Sequence, residues 1–145
     1  AVALLGVLVT LNIRYSNILY LKADVMQTQM ISYYTTLITR IESIEGYTED
    51  AQVVYIGEYD KHDKNLVGIS EYFDDLDLAT YKGEPIFNDY AWKEAMEFWC
   101  GFAPELGDAA EFDGNVEVAS MPCYPDQGSI RCINGKIVVK FADEP

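Results

Sequence analysis

The chain has 145 residues, half of them hydrophobic and 13% aromatic, so it can fold around one apolar core and disorder is not expected. Its 24 acidic and 10 basic residues give a net charge of −14, which argues against nucleic-acid binding and against docking on anionic lipid, because phosphate groups would be repelled. One histidine and three cysteines without CxxC spacing argue against a zinc site, and no cofactor or metal is expected.

The first thirteen residues, AVALLGVLVTLNI, are apolar and carry no charge before Arg14. As a helix they cover about 20 Å, short of the ~30 Å hydrocarbon core of a bilayer. No basic region precedes them and no small-residue cleavage site follows, so they do not fit a signal peptide. Two interpretations remain: residues 1–15 are the end of a truncated transmembrane helix, which we favour, or they form an ordinary buried helix. In the first case, residues 16–145 form a single extracytoplasmic domain.

The next segments predict a helix and then a strand. From Ser16 to Ile44 there is no proline or glycine, and apolar residues recur every three or four positions, which predicts a long amphipathic helix. Gly46 ends it, and it can continue from the apolar opening without a break. Residues 52–59, QVVYIGEY, predict a buried central strand. Residues 60–87 mix charges with scattered aromatics and predict loops and short irregular elements.

A second helix is predicted over DYAWKEAMEFWCGF, capped by Asn88 or Asp89 and ended by Gly101 and Pro104. Its apolar face is expected to carry Trp92, Ala95, Met96 and Trp99. A brief strand near residues 105–107 follows. The segment VEVASM then predicts a short helix before Pro122, capped by Asp113 or Asn115.

The last predicted element is a β-hairpin, SIRCI and KIVVKF joined by Asn134-Gly135. Asn-Gly accepts the positive φ angles of a type I′ turn. Alternation places Ile137, Val139 and Phe141 on one face of the second strand and Lys136, Val138 and Lys140 on the other. The sequence therefore predicts an α/β fold, a small mixed sheet with packed helices, a long N-terminal helix and a C-terminal β-hairpin.

Groups of chemically active side chains have ordinary explanations. Asp74, Asp75 and Asp77, or Glu94 and Glu97, could form a glycosidase-like carboxylate pair, but a solvated acidic face is the favoured interpretation. A calcium loop beginning at Asp75 fails, because its sixth and twelfth positions hold Tyr81 and Ile86 rather than Gly and Glu. Asp60, His62 and Asp63 are interpreted as a solvated charged loop rather than as metal ligands.

The aromatic side chains and the cysteines leave alternatives open. Tyr81, Tyr90 and Trp92 are candidate glycan contacts, although Trp92 and Trp99 at helical spacing are typical of a core. Outside the cell, Cys123 and Cys132 could close a short disulfide loop, leaving Cys100 free. Three small buried thiols are the slightly preferred alternative.

Three stretches together resemble a known family: YSNILYLKADVMQTQMISYYTTLITRIESIEGY, QVVYIGEY and MPCYPDQGSIRCINGKIVVKF. They are similar to the C-terminal part of bacterial polytopic membrane glucosyltransferases of the Gtr type. The resemblance covers over half of the chain and is loose over residues 60–112. It implies a parent protein that transfers a glucosyl unit from a polyprenyl-phosphate donor to a cell-surface glycan. It also implies a membrane-attached, non-catalytic extracytoplasmic domain, and it assigns no catalytic residue to this chain.

Other functions remain in competition with this one. The chain could be a carbohydrate-binding module, or a structural domain of a membrane protein that self-associates through residues 1–13. A carboxylate-dependent glycan hydrolase is less favoured, because it needs two converging carboxylates with perturbed pKa values. The expected partners are the membrane-embedded remainder of the parent protein and a cell-surface glycan.

Overall fold

The computed structural model describes residues 2–57 and 91–142. They form the following elements: α1 (Val2–Glu42), β1 (Val53–Ile56), α2 (Ala91–Cys100), a 3-10 helix (Ala109–Phe112), α3 (Val116–Ala119), β2 (Ile130–Ile133) and β3 (Lys136–Lys140). The predicted α/β fold, with its long N-terminal helix, small mixed sheet and C-terminal hairpin, is confirmed. The chain divides into two compact units, whose described parts are residues 2–30 and residues 31–57 with 91–142.

Helix α1 runs without a break through 41 residues, so the amphipathic segment does continue from the apolar opening. Five threonine hydroxyls donate to the carbonyl oxygens four residues earlier, and these polar side chains are therefore satisfied within the helix. The helix ends at Glu42, and the chain turns at Gly46, which has a φ of 93°. A Cβ atom at Gly46 would lie 3.1 Å from Cys132 Sγ. Glycine is therefore suited to this turn by its backbone angle and by its size.

The three strands pair in the order β1-β3-β2, with β1 parallel and β2 antiparallel to β3. Among the three described strands the central one is β3, so the prediction that β1 is central was wrong for this part of the chain. Within the described residues, an isolated parallel bridge joins Val53 of β1 to Leu106. There the Val53 amide donates to the Glu105 carbonyl oxygen at 2.8 Å, and the Gly107 amide donates to the Val53 carbonyl oxygen at 3.0 Å. The brief strand expected at residues 105–107 is thus reduced to this bridge.

The hairpin has the predicted turn, with φ angles of 54° at Asn134 and 77° at Gly135. Both faces of β3 are buried, since the exposed fraction is 0% for Val138 and Val139 and 2% for Lys140. One face packs on a cluster built from neighbouring elements: Val54, Phe112, Val118, Met121, Ile133 and Val138. Because β3 lies between two strands and is covered on both faces, Lys140 is buried together with Ile137, Val138 and Val139.

The connecting helices confirm part of the prediction. In α2, Ala95 and Met96 are buried, but Trp99 is 47% exposed, so its predicted place in the core was wrong. Trp99 lies in the last turn of α2, where the apolar face extends beyond the surface that it packs on. The predicted caps Asn88 and Asp89 lie outside the described residues. Of the two predicted caps of α3, Asp113 and Asn115, the structure has Asn115, whose side-chain oxygen accepts from the amides of Glu117 and Val118.

Candidate functional site

The N-terminal part of α1 presents apolar side chains to the outside in every direction. Between 50% and 85% of each large one is exposed: Val2, Leu4, Leu5, Val7, Leu8, Val9, Leu11 and Ile13. Val7, Leu8 and Val9 are consecutive, and successive residues of a helix point about 100° apart, so the exposure is not confined to one stripe. An ordinary buried helix, the second interpretation of this segment, does not have this exposure.

The same helix is long and apolar enough to cross a membrane, judged by length and composition alone. Soluble proteins rarely expose a continuous apolar surface of this kind, because it drives association. The segment is thus the first candidate functional feature of the described residues, and its chemistry is that of a lipid-facing or partner-facing surface.

A second feature is a cluster of aromatic rings around Tyr55, on the sheet. Trp92 of α2 meets the Tyr55 ring edge-on at a centroid distance of 4.7 Å, and Phe141 stacks on it at 5.9 Å. The Lys93 ammonium lies 5.4 Å from the centroid of Trp92 and 5.8 Å from that of Tyr55. These contacts hold the half-buried Trp92 in a packed cluster. Its role as a glycan contact stays a prediction, and Tyr81 and Tyr90 lie outside the described residues.

The Tyr55 hydroxyl is buried, and it has no hydrogen-bond partner among the described residues. Burial raises the pKa of Tyr55 well above its usual value, because the phenolate would lose its hydration. Burial therefore favours the neutral form of this hydroxyl over the phenolate.

Arg40, in the last turn of α1, binds the turn at residues 123–126. Its guanidinium donates to the carbonyl oxygens of Pro125 at 2.6 Å and Asp126 at 3.1 Å, and it lies 5.0 Å from the centroid of the Tyr124 ring. Tyr124 in turn contacts the rings of Tyr33 and Phe141, at 5.7 and 5.9 Å. The MPCYP stretch is therefore a structural element, which joins α1 to the end of the sheet.

A third feature is a cleft of about 310 Å³ beside the buried Lys140, with walls that include Ile56, Phe112 and Asn115. The Lys140 ammonium donates to the carbonyl oxygens of Ala119, at 3.2 Å, and Met121, at 2.9 Å. These carbonyls lie at and just beyond the C-terminal end of α3, where a cation is favourable. Lys140 thus fixes the end of α3.

Sequence reasoning placed Lys140 with Lys136 on one face and did not distinguish them. Lys136 forms an ion pair with the exposed Glu111, whereas Lys140 is buried. No local signal separates the two, because the difference depends on where the segment around α3 packs. The segment VEVASM predicts a helix end, whose carbonyl groups could accept from a lysine. The sequence does not indicate that this helix end lies next to β3, because that position depends on the tertiary fold.

The fourth feature is an exposed aromatic pair on α2. Phe98 is 77% exposed and meets the Trp99 ring edge-on at 4.9 Å, and the exposed Glu94 and Glu97 lie on the same helix. Sequence reasoning had placed Trp99 inside. An exposed ring beside a carboxylate is a common element of ligand surfaces, and this pair replaces Trp92 as the accessible aromatic of α2.

No group of three or more potential metal-binding side chains gathers within residues 2–57 and 91–142. The structure holds Cys100, Cys123 and Cys132 as free, half-buried thiols, and the Cys123–Cys132 disulfide stays a prediction. The charged positions 60, 62 and 63, and the aspartates at 74, 75 and 77, lie outside the described residues.

Comparison of the chain with protein-family models, with curated proteins and with solved structures finds no match.

Proposed function

We propose that this chain is a membrane-attached, non-catalytic extracytoplasmic domain at the C-terminus of a membrane glucosyltransferase. The attachment is carried by one observation, the exposure of apolar side chains on all sides of α1 between Val2 and Ile13. Moving these side chains from water into hydrocarbon would contribute on the order of 10 kcal/mol. Residues 1–15 are then the end of a membrane-spanning helix, and residues 16–145 are the water-facing domain.

The non-catalytic role is supported by what the buried and half-buried polar groups do. Arg40 and Lys140 bind carbonyl oxygens of their own chain, and the Tyr55 ring packs against Trp92 and Phe141. These groups therefore hold the fold together. The domain is suited to covering or shaping the acceptor side of a reaction centre in the membrane body, or to mediating its assembly.

The glucosyltransferase parentage is supported by the resemblance of the three quoted stretches alone. It predicts a polyprenyl-phosphate glucose donor and a cell-surface glycan acceptor. The direct test is the reading frame that encodes this chain. We expect it to encode further apolar spans before Ala1, with acidic residues in an outward loop, and a water-soluble upstream region would overturn the assignment.

The non-catalytic part of the proposal has its own test. The full chain, reconstituted in lipid nanodiscs, is incubated with glucosyl-polyprenyl phosphate and with cell-wall oligosaccharides, and released or transferred glucose is measured. We expect no turnover above that of empty nanodiscs. Transfer or hydrolysis that depends on the chain would contradict the proposal.

The side of the membrane needs a separate measurement. The acidic composition of the domain and the resemblance support the extracytoplasmic side. Arg14 and Lys22, however, are residue types that the positive-inside rule places in the cytoplasm. A protease-sensitive tag appended after Pro145 should be cleaved by external protease in sphaeroplasts. A tag that is cut only after lysis would place the domain in the cytoplasm.

A carbohydrate-binding module is the second candidate, and the exposed Phe98–Trp99 pair beside Glu94 favours it. Binding would be followed by NMR titration of the full chain in nanodiscs with cell-wall oligosaccharides. Leu106 supplies a matched control, because it is as exposed as Trp99 at 47%. A binding module requires saturable shifts that Trp99→Ala abolishes and Leu106→Ala leaves unchanged. An absence of shifts in the wild-type chain would exclude the module for these glycans.

A further inference from the structure

The chemistry of α1 changes immediately after its apolar opening. Arg14 is exposed and is the first charge of the chain, and Tyr20 follows with 76% of its surface exposed. The first acidic residue is Asp24, so residues 1–23 carry Arg14 and Lys22 but no carboxylate. All 24 acidic residues therefore lie at position 24 or later in the chain. The first 23 residues therefore carry basic side chains only, whereas the rest of α1 carries charges of both signs.

We propose that residues 14–20 form the interfacial segment of α1, which lies in the headgroup layer of a bilayer with the Arg14 guanidinium on lipid phosphates. This inference rests on the proposed bilayer attachment, and it specifies which residues of α1 lie at the surface of the bilayer. Guanidinium binds phosphate through two parallel hydrogen bonds, whereas it is costly in hydrocarbon. Tyrosine is enriched at the same level of the membrane, because one end of its ring is apolar and the other is polar.

The dimensions of the segment agree with this placement. At a rise of 1.5 Å per residue, the Cα atoms of Arg14 and Tyr20 are about 9 Å apart along the helix. Side chains of a helix lean towards its N-terminus, so the Tyr20 ring covers the preceding turn and approaches the level of Arg14. The headgroup layer is roughly 5 to 7 Å thick on each side of a bilayer. Both groups can therefore reach it at once.

A different register competes with this one. Residues 2–21 would also match a hydrocarbon core of about 30 Å as a single span. That register puts Arg14 about 10 Å inside the hydrocarbon, since seven residues separate it from Leu21. Placing the boundary at Arg14 keeps the charge in the headgroups, and it leaves Asp24 and every later carboxylate in water. Charge complementarity with the lipid phosphates favours the boundary at Arg14.

Spin-label depth measurements can separate the two registers. The full chain, with Cys100, Cys123 and Cys132 replaced by serine, is labelled singly at Leu8, Asn17 or Asp24 and reconstituted in phosphatidylcholine vesicles. Depth is read from the ratio of oxygen to nickel-chelate accessibility. We expect a several-fold higher ratio at Leu8 than at Asp24, with Asn17 between them at the level of a headgroup-labelled lipid.

Each other outcome has a defined meaning. If Asn17 is as deep as Leu8, or as aqueous as Asp24, the interfacial assignment is overturned while the bilayer attachment stands. If Leu8 is aqueous, the attachment itself fails, and the proposed function fails with it. If circular dichroism shows that the triple serine variant is unfolded, the three native cysteines are kept. A fluorescent coumarin amino acid is then introduced at position 8, 17 or 24, and its depth is measured from quenching by brominated lipids.

The role of phosphate is tested by changing Arg14 and the lipid in turn. In phosphatidylcholine we expect Arg14→Leu to move the label at position 17 from the headgroup level towards the hydrocarbon. Arg14→Lys should keep the label close to its wild-type level. In vesicles of phosphate-free glycolipid, the wild type and Arg14→Leu should differ much less. Free phosphate at millimolar concentration should leave the depths unchanged. Equal depths for the wild type and Arg14→Leu in phosphatidylcholine would contradict the phosphate contact.

Discussion

Residues 2–13 and residues 30–41 belong to one continuous helix, yet their apolar side chains lie in different surroundings. In the first segment, large apolar residues are exposed on all sides. In the second, one stripe is buried: Met30, Tyr34, Leu37, Ile38 and Ile41, each at most 8% exposed. Ser32, Thr35, Thr36 and Thr39 lie exposed between them. Interleaved polar residues, rather than apolar content, therefore distinguish the helix segment with one buried stripe from the segment whose apolar side chains are exposed on all sides.

The largest contrast is expected from the same substitution made in each segment. Leu37 is 0% exposed, so Leu37→Ala should lower the free energy of unfolding by about 2–5 kcal/mol through the cavity that it leaves. Leu8 is 55% exposed, and Leu8→Ala should change the same quantity by less than about 0.5 kcal/mol. Urea unfolding of the full chain in detergent micelles measures both. Equal losses would show that residues 2–13 pack on the domain.

The two arginines of α1, Arg14 and Arg40, should also contribute differently to the stability of the domain. Arg40 makes two hydrogen bonds to the turn at residues 123–126, and charged hydrogen bonds contribute about 1.5–3 kcal/mol, so Arg40→Met should lose an amount of that order. Arg14→Met should leave domain unfolding unchanged and alter only the position of α1 in the bilayer. The measurement is the same urea titration. A loss at Arg14 that matches the loss at Arg40 would break the distinction between the segments.

The glycines should respond with opposite signs. Gly46→Ala places a side chain at a φ of 93° and 3.1 Å from Cys132 Sγ, so it should destabilise the domain by about 1 kcal/mol or more. Gly6 has nothing within 4 Å of an added Cβ, and Gly6→Ala should favour the helix by about 0.5–1 kcal/mol. Thermal unfolding reports the first change and helix content the second. Destabilisation by both substitutions would mean that Gly6 also lies against other atoms of the chain.

The smallest effect at neutral pH is expected at the tyrosines. The pKa of Tyr55 is raised by burial above its unfolded value of 10.0, so its stability contribution is complete below pH 10 and is lost as pH rises towards the folded pKa. Tyr55→Phe should therefore be near neutral at pH 7 and should reduce the loss of stability above pH 10. Tyr20→Phe, at a position 76% exposed, is the control. An unchanged alkaline profile in Tyr55→Phe would contradict the assignment.

The sequence predicted those elements whose formation depends on residues that are close together in the chain. The Asn134-Gly135 turn, the Asn115 cap and the length of α1 follow from backbone angles, side-chain capping and helical spacing, which act over a few residues. Spacing did not predict that β3 is central, that Lys140 is buried or that Trp99 is exposed. These three depend on what packs against each element, and that is set by contacts between distant parts of the chain.

If residues 2–13 lie in lipid, as we propose, the chain should bind liposomes, and flotation measures this binding. The full chain, removed from detergent in the presence of phosphatidylcholine liposomes, should float with them through a sucrose gradient after carbonate washing. Leu5→Asp/Leu8→Asp/Leu11→Asp should remain at the bottom with unchanged thermal unfolding of the domain. A wild-type chain that stays at the bottom as a soluble monomer without detergent would contradict the account.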